Sequence, residues 1–119
     1  MSSTVRSPEE AAQRQLEAYN ARDAEQFASA YATDVEVFEL PSGTRTLAGR
    51  AELRTRYSAL FAASPRLLCR LVARIVQGSF GIDHEEVSGL RGGPLAHALA
   101  VYEVLGGFIR RVWFLRSAP

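Results

Sequence analysis

The first third of the chain places apolar residues three or four positions apart, a spacing typical of amphipathic helices. A helix is predicted to begin directly after Ser7, because Ser7 can cap it and Glu10 completes a capping box. A second helix is predicted to follow Asp23, so that the two form a helical hairpin over about residues 8–32. The same spacing predicts a third helix over residues 50–62.

Alternating apolar and polar residues dominate the rest of the chain and predict β-strands. Two short strands are predicted on either side of a Pro-Ser-Gly turn, over 35–40 and 44–48. Four longer strands are separated by glycine-containing turns, over 67–77, 80–88, 95–105 and 108–116. Helices followed by an antiparallel meander indicate an α+β fold. The 119 residues are expected to form one domain over 1–119, with a core over about 8–116.

The strand predicted over 80–88 contains a dense cluster of ionisable residues, and hairpin geometry predicts how they are distributed. If a two-residue turn joins this strand to the preceding one, Arg74 lies opposite Asp83. The same register places Ala73 opposite His84. The small alanine would leave room for a cavity beside the histidine.

One face of the strand over 67–77 is uniformly apolar and is therefore expected to meet the helices. The register predicts that alternate residues of the next strand share this inward face: Phe80, Ile82, His84 and Glu86. Asp83 and Glu85 are then predicted to be outward surface charges, with Asp83 in an exposed ion pair with Arg74.

The final hairpin can form in two registers. A two-residue turn at Gly106-Gly107 pairs Glu103 with Arg110, whereas a three-residue loop pairs Tyr102 with Arg110. Either register leaves an apolar face on both sides, and the helices can cover only one of them. A second subunit is expected to cover the other, in a homodimer that buries Leu99, Val101, Trp113 and Leu115.

Composition narrows the classes of function. The formal net charge is only +1, so no overall field favours nucleic acid or an anionic membrane as a partner. Cys69 is the only cysteine, which excludes an intrachain disulfide and fits a reducing compartment. The sequence has no lysine, so no lysine Schiff base can form. Without a signal-like or membrane-spanning run, a cytoplasmic domain is expected.

Three segments carry a family resemblance: LEAYNARDAEQFASAYATDVEVFELPSG at 16–43, LAGRAELRTRYSALF at 47–61 and VYEVLGGFIRRVWFL at 101–115. Their order and spacing resemble the nuclear transport factor 2-like superfamily, in particular its SnoaL-like and ketosteroid isomerase-like branch. The resemblance implies a cone-shaped α+β roll, in which a strongly bent antiparallel sheet wraps around three N-terminal helices. It also implies an internal pocket and dimerisation through the outer sheet face.

Ketosteroid isomerases in this superfamily use a carboxylate base and an oxyanion hole formed by a tyrosine and a protonated aspartic acid. The resemblance places the base at Glu39 and the two oxyanion positions at Gln15 and Ala100. It places supporting aromatic residues at Tyr31 and Tyr57. Because neither oxyanion residue is present, isomerisation of a ketosteroid by that mechanism is not expected.

These observations lead to a hypothesis of acid/base catalysis in the pocket, with Glu39 as the base and His84 as its partner. Arg116 is a candidate for orienting an anionic ligand group. The predicted ligand-contacting residues are Gln15, Tyr31, Tyr57, Phe80, Ile82, Glu86, Ala100, Tyr102, Val112, Phe114 and Arg116.

Two classes of function stay open. The first is a cofactor-independent isomerase, cyclase or hydrolase that acts by proton transfer on a small, largely hydrophobic molecule. The second is a non-catalytic ligand-binding or dimerisation module, in which His84 and Glu39 only form hydrogen bonds in the core. Neither a metal nor another cofactor is expected, since no ligand motif accompanies the two histidines.

Overall fold

The computed structural model describes residues 5–117, and its helices begin at the predicted capping residues. Helix α1 spans Pro8–Asn20. At its start, the N–H of Glu10 donates to Ser7 Oγ (3.1 Å) and the N–H of Ser7 donates to Glu10 Oε1 (2.8 Å), which confirms the capping box. Helix α3 spans Arg50–Ala62, as predicted.

The second helix is much shorter than predicted. Helix α2 is capped by Asp23 but spans only Ala24–Ala28. The chain then enters strand β1, Tyr31–Glu39, so the prediction of a helix up to residue 32 is wrong. The reason is tertiary: the Ala30 carbonyl accepts a hydrogen bond from the N–H of Ile109 (3.0 Å), which ties this segment to the last strand.

A six-stranded sheet packs against the three helices. After β1, the strands are β2 Thr44–Ala48, β3 Leu68–Gln77, β4 Phe80–Ser88, β5 Ala96–Leu105 and β6 Phe108–Ser117. The order across the sheet is β2-β1-β6-β5-β4-β3. The β1–β6 pair is parallel, so the prediction of a wholly antiparallel sheet is wrong at that pair. The α+β roll with three N-terminal helices is confirmed.

The β3–β4 hairpin contains a bulge that the sequence pattern does not reveal. The predicted register near the turn is confirmed, including the pairing of Arg74 with Asp83. Beyond it the register shifts, so that Val72 is an extra residue and Leu71 pairs with Glu85. Since side chains alternate along a strand, the bulge exchanges the two faces of β3 halfway along its length.

This exchange reverses the predicted orientation of β4. Asp83 and Glu85 are buried, with 0% and 6% of their surface exposed, whereas His84 is exposed. A Cβ added to Gly81 would lie 3.5 Å from the carbonyl oxygen of Pro8, so this is the strand face that α1 approaches. The predicted inward orientation of Phe80, Ile82, His84 and Glu86 is therefore wrong.

The final hairpin follows neither predicted register throughout. Its two-residue turn has positive φ at both Gly106 (60°) and Gly107 (85°), the backbone geometry that a tight hairpin turn requires. A second register shift then pairs Glu103 with Arg111 instead of Arg110. The prediction that Leu99, Val101, Trp113 and Leu115 share one face is confirmed, because Leu99 pairs with Leu115 and Val101 pairs with Trp113.

The core lies between the inner sheet face and the helices. Small residues on α1, including Ala11 and Ala12, let the helix approach the sheet closely, and both are fully buried. The sheet contributes buried side chains such as Val35, Tyr102 and Val112. Within residues 5–117, no helix is long and apolar enough to cross a membrane.

Candidate functional site

A cavity of about 330 Å³, called the main cavity below, lies between the helices and the inner face of the sheet. Its lining is predominantly aromatic and aliphatic. Each helix contributes an aromatic ring to the wall, from Tyr19 on α1, Phe27 on α2 and Tyr57 on α3. The sheet contributes Tyr31 and Phe114. A cavity of this size and character suits a small, mostly apolar molecule.

The aromatic rings of the wall hold one another in place. The ring centroids of Phe27 and Tyr57 are 4.5 Å apart, and those of Phe27 and Tyr31 are 5.0 Å apart, both pairs tilted. Tyr19 contacts Phe61 edge-on at 5.5 Å. Tilted and edge-on pairs are the favourable arrangements for aromatic rings. The wall is therefore preformed.

The tyrosine hydroxyls of the wall stay protonated at neutral pH. Burial is the main cause that raises the pKa of Tyr19, Tyr31 and Tyr57 above the usual value. The Tyr31 hydroxyl lies 3.5 Å from Gln15 Oε1, and Gln15 Nε2 donates to the carbonyl of Ala12 (3.0 Å). Hydroxyls in this state can donate hydrogen bonds to a ligand oxygen.

Glu85 is the buried carboxyl group of the main cavity. Burial, and then the nearby charge of Asp83, raise its pKa to about 7. Hydrogen bonds with the Cys69 thiol and the Tyr102 hydroxyl act in the opposite direction, as does the charge of Arg74. Near neutral pH, Glu85 is therefore present both as an acid that can donate a proton and as a carboxylate that can accept one.

Arg74 does not neutralise Glu85 because it is engaged by another carboxylate. Its Nε and Nη2 atoms donate to the two oxygens of Asp83 at 2.7 and 2.9 Å, and its Nη1 atom donates to Gln13 Oε1 at 3.0 Å. The sequence predicted this ion pair but placed it on the surface, whereas Asp83 is completely buried. The Arg74–Asp83 pair therefore leaves Glu85, among residues 5–117, without an ion-pair partner of its own.

Arg116 lies at the rim of the main cavity, because it lines the cavity while 53% of its side chain is exposed to solvent. Its guanidinium group lies over the ring of Phe114, 4.3 Å from the centroid, and donates to Glu39 Oε2 at 2.6 Å. Glu39 lines an adjoining outer cavity rather than the main one. The proposed base is therefore a partner of Arg116 at the rim, partly exposed to solvent.

The structure separates the two residues that the hypothesis of acid/base catalysis had combined. His84 is on the outer sheet face, 6.3 Å from the ring of His97, and does not line the main cavity. Glu86 is on the same face, in an ion pair with Arg70. The hypothesis that His84 shares a cavity with Glu39 is wrong, because the bulge in β3 reverses the inward face of β4.

Other predicted site residues divide between the main cavity, the core and the outer face. Those that line the main cavity are Gln15, Tyr31, Tyr57, Tyr102, Phe114 and Arg116. Ala100 and Val112 are buried in the core, whereas Phe80 and Ile82 accompany His84 on the outer face.

Sequence reasoning missed the polar side chains of the main cavity that depend on the reversed face, above all Glu85. It also missed Tyr19 and Cys69. One signal was present: a glycine within a strand often marks close approach of another backbone, and Gly81 is two residues from Asp83 and shares its face. Within residues 5–117, no group of three or more His, Cys, Asp or Glu side chains is arranged to hold a metal ion.

Comparisons with known proteins identify the fold and the family. A family model described as a SnoaL-like domain matches residues 12–112. No curated protein gives a significant match. A cystatin-fold protein from Novosphingobium aromaticivorans is 25% identical, with a TM-score of 0.81 over 91% of this chain and 97% of its own.

Two further solved structures share the fold at lower identity. A SnoaL-like protein from Burkholderia thailandensis is 18% identical, with a TM-score of 0.77 over 93% of this chain and 95% of its own. A protein with a ketosteroid isomerase-like fold from Catenulispora acidiphila, in complex with trimethylamine, is 13% identical, with a TM-score of 0.75 over 91% of this chain and 85% of its own.

Proposed function

Because the chain belongs to the SnoaL-like domain family, we propose that its main cavity binds a small, largely hydrophobic molecule and that Glu85 exchanges a proton with it. The observation that carries this proposal is a buried carboxyl group, with a pKa of about 7, in a mainly apolar and aromatic cavity. A perturbed acid in a cleft is the kind of group that active sites use.

The reaction that suits this arrangement is proton transfer next to a carbonyl group. In a ketone that has a carbon–carbon double bond next to the carbon that loses the proton, the Glu85 carboxylate takes that proton and the electron pair moves toward the carbonyl oxygen. The same carboxyl group then returns the proton to the far carbon of the former double bond, and the double bond shifts by one carbon toward the carbonyl group. The hydroxyls of Tyr19 and Tyr57 are available to donate a hydrogen bond to the oxygen as its negative charge grows. The overall change is a cofactor-independent isomerisation.

A test uses 2-tetralone, a compact apolar ketone with exchangeable protons next to its carbonyl group. We expect the protein to bind it, as measured by calorimetry, and to accelerate exchange of these protons for deuterium at least about tenfold over buffer, as measured by proton NMR. Glu85→Gln should retain binding and lose the acceleration, because the amide cannot accept the proton.

The control for location is Ala98→Phe, which places a ring in the main cavity and should abolish binding of 2-tetralone. Binding without any accelerated exchange would overturn the catalytic proposal and favour the non-catalytic ligand-binding module. Binding that survives Ala98→Phe unchanged would show that the ketone lies elsewhere and would overturn the proposed site.

We also propose that the protein is a homodimer through the outer sheet face. Support comes from an apolar row that crosses five strands without interruption, formed by Ile75, Ile82, Val101, Trp113 and Phe38. Ile75 is 63% exposed in the single chain. The other four residues are half-buried, and a continuous apolar row that is still partly open to solvent is typical of a surface that another subunit covers.

Trp113→Arg is expected to convert the dimer to monomers. Trp113 stacks on Phe38 with ring centroids 5.7 Å apart, near the middle of the apolar row, and an arginine there would bring a charge and its symmetry mate into the interface. Light scattering coupled to sizing chromatography measures the mass. Leu105→Arg, at the tip of the last hairpin, is the control and should leave the mass unchanged. An unchanged dimer mass for Trp113→Arg would rule out this face.

A further inference from the structure

Three arginine residues help to line a second cavity, called the outer cavity, which has a volume of about 400 Å³. Arg56 comes from α3, Arg116 from β6, and Arg91 from the loop between β4 and β5. The outer cavity adjoins the main cavity, because Tyr57, Leu60 and Arg116 line both.

The ion pairs around the outer cavity leave one positive charge without a counterion. Arg116 is paired with Glu39 (2.6 Å), and Arg56 is paired with Glu52 (2.6 Å). Arg91 is the exception: among residues 5–117, its guanidinium group has no ion-pair or hydrogen-bond partner. An anion entering the outer cavity would therefore meet an uncompensated cation beside two further guanidinium groups.

The backbone of Arg91 is held in a conformation that is unusual for a residue with a side chain. Its φ is +49°, in the left-handed region, which costs free energy for any residue except glycine. The N–H of Arg91 donates to Oγ of the buried Ser64 (2.9 Å), which holds the turn against the end of α3. Strained residues of this kind cluster at ligand-binding sites.

The same loop also reaches the main cavity. Leu90, directly before Arg91, lines the main cavity, whereas Arg91 lines the outer one. One turn of chain thus contributes an apolar contact to the main cavity and a positive charge to the outer cavity. The main cavity is mostly apolar and the outer cavity is positively charged, so together they are complementary to a molecule with an apolar body and an anionic end.

We infer that the ligand is a small amphipathic acid, whose apolar body occupies the main cavity and whose carboxylate or phosphate group binds Arg91 and Arg116 in the outer cavity. This inference rests on the proposed function, and it specifies the chemical class of the molecule. Guanidinium groups bind both kinds of anion through paired hydrogen bonds. The Arg116 side chain is held at the rim by its hydrogen bond to Glu39 and by the contact of its guanidinium group with the face of the Phe114 ring.

The test compares three probes with one apolar body: 2-naphthylacetate, its neutral methyl ester and 2-naphthyl phosphate. Calorimetry should show that at least one anion binds about tenfold more tightly than the ester, and that this advantage declines as sodium chloride increases from 0.02 to 0.5 M. The carboxylate and phosphate probes show which anion the site prefers.

Arg91→Gly is the most informative variant. Glycine adopts positive φ without strain, so the variant should melt no earlier than the parent protein. It should bind the preferred anion about tenfold more weakly and the ester equally well, because only the charge contact is lost. Arg54→Gln is the matched control: Arg54 is on the same helix as Arg56 but pairs with Glu25 away from the outer cavity, so anion affinity should not change.

The outcomes separate this inference from the proposed function. Equal affinities for the ester and both anions, or an anion affinity that Arg91→Gly leaves unchanged, would overturn the inference, while binding of the ester and of 2-tetralone would still support the proposed main cavity. Failure of every probe to bind, including 2-tetralone, would overturn both. An anion affinity that Arg54→Gln reduces as much as Arg91→Gly does would indicate general attraction to a positive surface and would also overturn the inference.

Discussion

Arg74→Met is expected to lower the free energy of unfolding by about 3–5 kcal/mol at pH 7, as measured by urea denaturation. The substitution removes the partner of Asp83, whose carboxylate has no exposure to water, and leaves that charge buried and unpaired. It also removes the positive charge that lowers the pKa of Glu85, and the hydrogen bond to Gln13. Because the total stability of a domain of this size is of order 5–15 kcal/mol, the variant would be close to unfolding.

Arg70→Met provides a matched control on the same strand. Arg70 pairs with Glu86 across the same two strands, but on the outer face and with 62% of its side chain exposed. Exposed ion pairs contribute only about 0–1 kcal/mol, so the control should change stability little. Equal small losses for the two variants would contradict the burial of Asp83 and, with it, the orientation of β4.

Glu85→Gln is expected to become more stable relative to the parent protein as pH rises. The pKa of Glu85 is raised from 4.5 to about 7 in the folded state, so the folded protein holds a proton that the unfolded chain releases. The parent protein therefore loses stability between about pH 4.5 and 7, and the glutamine variant does not. The difference reaches about 3 kcal/mol at pH 8 as an upper limit, from about 1.36 kcal/mol for each pKa unit.

Urea denaturation at pH 5, 6, 7 and 8 measures this difference, because the comparison is between two proteins that differ only at residue 85. Glu86→Gln is the control, since its pairing with Arg70 lowers the pKa of Glu86. For that control, the parent protein should gain stability relative to the variant only below about pH 4.5, so the difference should stay nearly constant from pH 5 to 8. A pH-independent difference for Glu85→Gln would contradict a buried, proton-holding carboxyl group.

The position of Glu85 changes the chemistry that the main cavity can support. The predicted catalytic pair would have used the Glu39 carboxylate as the base and the His84 imidazole as the acid. The structure places these two groups on different surfaces. In their place, one carboxyl group with a pKa near 7 can act as base and acid in turn. Glu39 has a different role in our proposal, since it positions Arg116 at the rim.

Local sequence features were sufficient to predict most elements and the family. Capping residues at Ser7 and Asp23 marked where helices begin, and glycine-containing turns marked the four longer strands to within one residue, whereas the first strand begins four residues before its predicted start. The two-sided apolar pattern of the last hairpin correctly separated the buried residues from the outer row that contains Val101 and Trp113. These features act over a few residues, so the sequence alone displays them.

The contents of the main cavity depended on interactions between distant segments. Pairing of Tyr31–Glu39 with the last strand shortened α2 and made the sheet mixed, because backbone groups bond wherever the fold supplies a partner. In β3, alternation predicts one uniformly apolar face, but that prediction assumes an unbroken register along the whole strand. The approach of α1 to Gly81 and the extra residue at Val72 decided which residues face inward, and one residue of shift exchanges every side chain between the faces. The sequence by itself therefore determined the elements and the family, and only the tertiary structure decided that Glu85, rather than His84, faces the cavity.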